Sequence, residues 1–453
     1  MAAVAVICTV AITWSARDLR AQAAGDATAK TEKKPKDQGE YDIYNQVIKD
    51  AANPAKQLQD LDTWAQKYPE SDFKDDRAFF YISAYNGTNQ PGKVVDTAAQ
   101  LLAKDLNAAF KDPRQVISIL YLAALNIQKD PSPSQEQLAI GGKAAHQLLD
   151  FTPTYFTADK KPAGTSDSDW NTARNQLDGV AKLALVFVAM APGNKAMASN
   201  PKDPATCATA EAVYTKALQE YPDSAQIAYS LAGALRCQQT VKPEKVQQAI
   251  YLYARAAALD PSKGGFADPK ARQGIETYVQ TVYKNFHGSE EGLDQLKQLA
   301  VQSPLPPADF KLKTASEIAA EKEAEFAKSN PQLALWMGVK KQLTDASGDQ
   351  YFEGQLKNAA VPKLKGTLVD GKPACRSKEL LVAISDAHNA EVTLKLDAAL
   401  SGKPDTGTEI QWEGVPSAFT KEPFMLTMDT EKAKVEGLKV TPCAPVRRPA
   451  AKK

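Results

Sequence analysis

The sequence has few of the residues on which most enzyme and metal sites depend. It contains three histidines, His146, His287 and His388, which lie in separate segments without a second ligand at metal-binding spacing. It has no P-loop, no G-x-G-x-x-G motif and no G-x-S-x-G motif. Its five cysteines include no C-x-x-C pair, which excludes the common zinc and thioredoxin-like motifs. We therefore expect no catalytic residues, no metal and no cofactor.

The chain also lacks an excess of charge of either sign. Lys and Arg together number 55 against 54 Asp and Glu, which gives a formal net charge of +1. A neutral balance gives no electrostatic reason to expect nucleic acid or an anionic membrane surface as the main partner. The basic residues at 444–453 lie in a Pro- and Ala-containing stretch, which is typical of a solvated tail.

No apolar run in the sequence is long enough to span a bilayer. The run from Ala2 to Trp14 would form a helix about 20 Å long, against the ~30 Å of a hydrocarbon core. This length, followed by Ala21-Gln22-Ala23, predicts a signal peptide over 1–23 and a flexible spacer over 24–39. No Lys or Arg precedes the run, so an uncleaved anchor in the inner membrane is the alternative.

Cysteine usage agrees with export. Without Cys8 the chain has four cysteines, Cys207, Cys237, Cys375 and Cys443. An even number is typical of disulfides formed in an oxidising compartment, although four cysteines allow three pairings. The sequence therefore predicts a periplasmic or secreted protein.

From Tyr41 onward the apolar residues recur with the period of a helix. A first pair of helices ends at Tyr68-Pro69, because proline cannot continue a helix. Further pairs are predicted at 76–87 with 92–104, 113–128 with 134–149, 169–191 with 205–221, 225–238 with 243–259, and 270–286 with 290–302. The stretch 150–168 is predicted to be an insertion, and 183–191 a helix segment buried on all sides. Helix pairs too small to bury their own faces predict a repeat array over 40–303.

Two sets of residues with identical spacing carry the most specific part of this pattern. The first set is Ala210, Tyr214, Ala217 and Pro222, and the second is Ala249, Tyr253, Ala256 and Pro261. The order small, aromatic, small, proline resembles the second helix of the tetratricopeptide repeat. The resemblance implies an α-solenoid of helix pairs whose concave groove, lined by first helices, receives a peptide or helix. An irregular helical bundle is the alternative.

The C-terminal part has a different pattern. Thr314 and Glu317 form a capping box before a predicted helix, and residues 304–350 are expected to cap the last repeat. Over 363–443 the apolar period becomes two, which predicts about six short strands in a small all-β barrel or sandwich. The spacing of Gly407, Ile410 and Gly414 resembles that of oligonucleotide/oligosaccharide-binding (OB) barrels.

A protein or peptide partner is the binding activity that the resemblance to tetratricopeptide proteins implies. The candidate groove residues on first helices are Tyr81, Tyr85, Tyr121, Asn126, Tyr229 and Arg236. Packing of these tyrosines between repeats is the alternative. The chain would then be a non-enzymatic scaffold or assembly factor of the cell envelope. Nucleic-acid or glycan binding through the β domain is the second hypothesis, although Glu409 and Glu413 flank Trp412 and disfavour nucleic acid.

The repeat register also implies a disulfide pairing. Aligned on Pro222, Cys207 lies near the start of a second helix, and Cys237 lies near the end of the following first helix. These two helices would run antiparallel, so the register pairs Cys207 with Cys237. Cys375 is then left to pair with Cys443, which would tie the end of the chain onto the β domain.

Export is testable at the N-terminus. If residues 1–23 are a cleaved signal peptide, the protein purified from its host should begin near Ala24. Edman degradation or mass spectrometry of the intact protein measures this directly. Recovery of a form that starts at Met1 from the cytoplasm would contradict the prediction.

Overall fold

The computed structural model describes residues 33–443, and the chain divides between Leu312 and Lys313 into two compact units. We refer to 33–312 as the helical unit and to 313–443 as the β unit. A helical region followed by a β domain is the fold class that the sequence predicted. The predicted signal peptide, most of the spacer and the basic tail lie outside the described residues.

Thirteen α-helices make up the described part of the helical unit. They are α1 Gln38–Lys49, α2 Pro54–Lys67, α3 Lys74–Gly87, α4 Pro91–Leu102, α5 Leu106–Ala109, α6 Pro113–Ile127, α7 Gln135–Tyr155, α8 Asp167–Ser199, α9 Pro204–Glu220, α10 Ala225–Cys237, α11 Lys245–Ala258, α12 Pro269–His287 and α13 Leu293–Gln302. All of the predicted helix pairs are present.

An Asn or Asp followed by proline starts four of these helices. The capping side chains of Asn53, Asp112, Asp203 and Asp268 accept backbone N–H groups of the first turn. Proline fits the first helical position because its missing N–H would have no partner there. These dipeptides therefore fix where α2, α6, α9 and α12 begin.

Each helix packs mainly against helices that are close to it in sequence. Helix α8 joins two hydrophobic clusters: Phe187 and Val188 pack against the cluster of α3–α8, and Val186 and Met190 belong with that of α8–α13. Leu183 is 60% exposed, so the prediction that 183–191 is buried on all sides is wrong. Helix α8 is long and apolar enough to cross a membrane, judged by length and composition only. Core helices of soluble proteins meet the same criterion.

The predicted insertion at 150–168 is shorter than expected. Helix α7 continues through Pro153 to Tyr155, and α8 begins at Asp167. The connection between them packs on the first turn of α8, since the ring centroids of Phe156 and Trp170 lie 4.5 Å apart. Aromatic contacts of this kind explain how a polar-looking segment keeps a fixed path.

The small and aromatic residues of the repeat pattern are buried as their spacing predicts. The exposed fractions are at most 5% for all six of them: Ala210, Tyr214, Ala217, Ala249, Tyr253 and Ala256. The two prolines follow the ends of α9 and α11, at Pro222 and Pro261. Small side chains allow close approach of neighbouring helices, and the tyrosines fill the space that remains.

A buried arginine ties the last two helix pairs together. Arg255 of α11 is 1% exposed, and its Nη1 donates to the carbonyl oxygens of Ala300 (2.6 Å) and Val301 (2.9 Å) at the end of α13. Its Nη2 donates to the carbonyl oxygen of Pro222, 2.5 Å away, in the turn before α10. The last carbonyls of a helix have no partner within the helix, so one guanidinium supplies donors to several of these groups at once.

Both predicted cysteine pairs are disulfides in the structure. Cys207 at the start of α9 is bonded to Cys237 at the end of α10, with a Cα–Cα distance of 6.2 Å. Cys375 is bonded to Cys443, with a Cα–Cα distance of 6.0 Å. The loops that they close span 30 and 68 residues, so each bond should stabilise its unit by about 4 kcal/mol on the loop-entropy model.

The β unit begins with helices and continues with nine strands. The helices are α14 Ala315–Ser329, α15 Pro331–Thr344 and α16 Gly348–Tyr351, the last continued by a π-helical turn at Phe352–Leu356. The strands are β1 Leu364–Lys372, β2 Glu379–Ala383, β3 Val392–Leu396, β4 Lys403–Pro404, β5 Glu409–Trp412, β6 Val415–Lys421, β7 Phe424–Thr430, β8 Val435–Glu436 and β9 Val440–Thr441.

Seven strands form one mixed sheet in the order β6-β7-β3-β2-β1-β5-β8, and the strands β3 and β7 are parallel. Consecutive strands β5 and β6 are five strand spacings apart in this order, about 24 Å in a flat sheet. Trp412 and Val415, which end β5 and begin β6, are three residues apart and can be separated by at most about 11 Å. The sheet must therefore curve strongly enough to bring the end of β5 close to the start of β6.

Gly414 lies at the bend between β5 and β6, close to β7. A Cβ on Gly414 would lie 3.1 Å from the carbonyl oxygen of Asp429 on β7 and 3.4 Å from the Cβ of Met428. A larger side chain at this position would therefore press on β7. Strand β6 itself was not predicted, since Pro416 interrupts its apolar alternation.

The helices at 315–351 belong to the same compact unit as the strands, whereas 304–312 belong to the helical unit. Trp336 of α15 is 1% exposed in the hydrophobic cluster of the strands. Its Nε1 donates to Glu391, 3.0 Å away, and Glu391 also accepts the backbone N–H of Ser385 at 2.7 Å. A tryptophan that reaches both an apolar core and a carboxylate holds α15 on the strands.

The central role of Arg255 predicts a large loss of stability on substitution. Arg255→Met keeps most of the apolar volume but leaves the carbonyls at Pro222, Ala300 and Val301 without donors. We expect the free energy of unfolding of the helical unit to fall by about 3 kcal/mol. Urea denaturation followed by far-UV circular dichroism measures it.

Lys270→Met, an exposed cation on α12, is the matched control and should stay within about 0.5 kcal/mol of the unsubstituted protein. An equally small effect of Arg255→Met would show that the guanidinium does not hold these elements together.

Candidate functional site: an aromatic row beside a cleft

Tyrosines from three successive helices form a continuous row on the helical unit. The ring centroid of Tyr253 on α11 lies 5.4 Å from that of Tyr229 on α10 and 5.0 Å from that of Tyr278 on α12. Phe266, in the connection after α11, lies 6.3 Å from Tyr229. The contacts are edge-to-face, which is a favourable arrangement for aromatic pairs. We refer to these four residues as the aromatic row.

Arg236 extends the row on the same face of α10. It follows Tyr229 by seven residues, which is close to two helical turns, so both side chains point to one side of the helix. The guanidinium lies 5.4 Å from the ring centroid of Tyr278 and donates through Nη1 to its hydroxyl oxygen. Tyr229 is 38% exposed, and Arg236 is exposed as well. Solvent can therefore reach both ends of the row.

A cleft of about 230 Å³ opens beside the row. Its described lining residues come from α10, α11 and α12: Arg236, Gln239, Val246, Ala249, Ile250, Tyr253, Val282, Asn285 and Phe286. The lining combines apolar side chains with a guanidinium, two amides and a phenol. No carboxylate is among these described residues, so the polar groups are mainly hydrogen-bond donors.

The buried tyrosine keeps its proton over the physiological range. Burial raises the pKa of Tyr253 to about 12, because the phenolate would lose its hydration beneath the neighbouring rings. Tyr253 is 5% exposed. At neutral pH its hydroxyl is thus a donor at the floor of the cleft.

The other predicted groove residues lie elsewhere. Tyr81 and Tyr85 stack on α3 with ring centroids 5.5 Å apart, and the Tyr81 hydroxyl donates to Asp62 at 2.7 Å. Burial and Asp62 together raise the pKa of Tyr81. Tyr121 is half-buried against the first hydrophobic cluster. Among the described residues, no contact joins this group to Tyr229 or Arg236.

Asn126 is not a groove residue. It is 1% exposed, and its Nδ2 donates to Asn86 of α3 at 3.0 Å and to the carbonyl oxygen of Leu122 at 2.8 Å. Both N–H groups of this amide are thus used inside the unit, where the side chain joins α3 to α6. The prediction that it contacts a peptide is wrong.

Two further clefts occur in the described chain. One of about 550 Å³ lies between α5, α6 and α7 and includes Lys104, Leu120 and Tyr155. The other, of about 460 Å³, lies in the β unit near the bend at Gly414. No group of three His, Cys, Asp or Glu side chains in the described residues is placed to hold a metal ion.

The sequence did not identify Tyr278, Phe266 and Phe286 as part of the site. Tyr253 was predicted only as a packing residue, and the structure shows that it also lines the cleft. The sequence pattern could have identified Tyr278 as a groove candidate, because Tyr278, like Tyr229, lies on the first helix of a predicted pair. Phe266 lies in a connection, where helical periodicity gives no information.

The raised pKa of Tyr253 predicts a loss of stability at high pH. Between about pH 10 and pH 12 the folded state keeps the proton that the unfolded state has lost, so stability falls as the pH rises through this window. For this one group the loss is up to roughly 3 kcal/mol.

Urea unfolding between pH 9 and 12, with phenolate absorbance at 295 nm, measures the effect. Tyr253→Phe should reduce the slope of stability against pH, whereas Tyr41→Phe, at an exposed ring, should leave it unchanged. An unchanged slope in Tyr253→Phe would contradict the assignment.

Comparison of the chain with models of known protein families and with curated proteins finds no match. What this surface can bind must therefore be inferred from its own chemistry.

Proposed function

We propose that the helical unit is a tetratricopeptide-like α-solenoid and that the chain is a non-enzymatic scaffold that binds a protein or peptide partner. Three features support this. Helices pack mainly against their neighbours in sequence, as in a solenoid. The small and aromatic positions of two successive units are buried. Tyr229 of the aromatic row and Arg236 are both exposed on α10, a first helix.

The aromatic row beside its cleft is the observation that carries the proposal. Tyrosine, phenylalanine and arginine are enriched at protein interfaces, because they combine a large contact area with directional hydrogen bonds. An exposed tyrosine that already packs on two other rings loses little conformational entropy when a partner covers it. The row therefore has the properties of a preorganised contact surface.

The two disulfides hint at an oxidising compartment. We propose the periplasm or the exterior of the cell, where the chain would act as a scaffold or assembly factor of the cell envelope. Anchoring in the inner membrane through an uncleaved N-terminal segment is the alternative.

The β unit offers a second candidate, binding of a glycan or nucleic acid. The observation that favours it is the curved sheet, in which β3 pairs in parallel with β7, as expected of an OB-like barrel. Against nucleic acid, Trp412 is 0% exposed and cannot stack on a base. A fold of this kind does not by itself define a ligand.

A capture experiment with the full mature chain tests the proposed function. The immobilised protein is incubated with cell-envelope extract, retained proteins are identified by mass spectrometry, and binding of each purified candidate is then measured directly. Tyr229→Ala with Arg236→Ala should weaken a genuine partner at least tenfold, because both side chains lie at the proposed interface.

The matched control is Tyr41→Ala with Lys49→Ala, which removes one exposed tyrosine and one exposed cation from α1. It should retain the partner, and thermal melting should show that both double variants are folded. A partner that binds equally to both variants would show that the aromatic row is not the interface.

A further inference from the structure

Resting on the proposed function, we propose that the aromatic row and its cleft bind a proline-rich segment in the polyproline II conformation, with prolines spaced three residues apart. The proposal specifies the chemistry of the partner and the direction in which it lies on α10. It follows from the donor groups of the cleft, the spacing along α10 and a related contact elsewhere in the same unit.

The donor groups of the site match a backbone that offers only acceptors. Proline has no N–H, so a proline-rich segment presents carbonyl oxygens together with apolar rings. The described cleft supplies donors in the guanidinium of Arg236, the amide N–H groups of Gln239 and Asn285 and the hydroxyl of Tyr253, and no carboxylate is among its lining residues. Aromatic faces beside such donors form the usual surface for polyproline II ligands.

The spacing along α10 matches one turn of a polyproline II helix. Tyr229 and Arg236 are seven residues apart on α10, about 10.5 Å along its axis. Three residues of polyproline II rise about 9.3 Å and return a side chain to the same face. Two prolines three residues apart can therefore lie one beside Tyr229 and the other beside Arg236.

The helical unit already holds a proline-containing segment of its own through another tyrosine and another arginine. Ser303, which precedes Pro304, accepts from the Tyr251 hydroxyl at 3.0 Å and from Arg255 Nη1 at 3.2 Å. Further along this segment, Phe310 packs on Tyr251 with ring centroids 5.1 Å apart. A tyrosine and an arginine thus fix the carbonyl before a proline on one side of α11.

An acidic peptide is disfavoured by the charge of the site. Arg236 is the one charged residue among those described that line the cleft, and it already donates to Tyr278. Lys245, at the start of α11, is paired with Glu211. A single guanidinium that is partly satisfied gives little attraction for a run of carboxylates.

Direct binding of defined peptides to the full mature chain tests the proposal. The probes are acetylated and amidated decaproline, a decapeptide with two Pro-x-x-Pro repeats, a Gly/Ser decapeptide and octaglutamate, each measured by isothermal titration calorimetry. We expect both proline peptides to bind and the Gly/Ser peptide not to bind. Tyr229→Ala should weaken the proline peptides at least tenfold, and the control Tyr41→Ala should leave them unchanged.

The salt dependence of binding distinguishes a proline-rich from an acidic ligand. Binding of a neutral proline peptide should vary little between 50 mM and 500 mM NaCl, because no ion pair is screened. Binding of octaglutamate without decaproline would overturn the proposal in favour of an acidic partner. Binding of none of the peptides, while an envelope partner is still captured through Tyr229 and Arg236, would overturn it and leave the proposed function standing. If no envelope partner is captured through Tyr229 and Arg236 either, the proline-segment proposal and the proposed function are both wrong.

Discussion

Arg255 lies where the last helix pairs of the helical unit meet, and its guanidinium is almost fully buried. Burying a charge is costly unless its donors are matched by acceptors, and here Nη1 and Nη2 donate to carbonyls that a helix end and a turn leave unpaired. The buried Nε has no acceptor among the described residues. The end of α13, the turn at Pro222 and the carbonyl of Ser303 all converge on this one side chain. These bonds join α11, which carries Tyr253 of the aromatic row, to the end of α13 and to the turn before α10.

Helix α11 consequently has two different recognition faces. Tyr251 and Tyr253 are two residues apart, so their side chains leave the helix about 200° apart and point to opposite sides. On one side Tyr251 and Arg255 hold the proline-containing segment that follows α13. On the other side Tyr253 lines the cleft beside Tyr229 and Tyr278. The segment thus covers one face of α11, and the rings of Tyr229 and Tyr278 cover Tyr253 on the other face.

The sequence predicted the structure best where the spacing of small and aromatic residues also determines how the helices pack. The small and aromatic spacing predicted α9 and α11, and the register derived from it paired Cys207 with Cys237.

Prediction from residue type failed where a polar side chain forms its hydrogen bonds to a different helix. Asn126 was predicted to contact a partner because amides suit peptide contacts, yet its hydrogen bond to Asn86 is made by tertiary packing that no local pattern records. Arg255 was overlooked for the same reason, although its apolar neighbours on α11 were a usable signal of burial.

The β unit shows how a short connector can determine a fold. Two residues separate β5 from β6, and strands so joined cannot stand five spacings apart unless the sheet curves strongly. The curved sheet places Trp412 in the core, where it is fully buried and contributes to stability. In the same way Trp336, expected on a capping helix of the array, enters this core because Glu391 accepts its indole N–H. Tryptophans in a sequence therefore indicate burial well, but only tertiary structure shows which unit buries them.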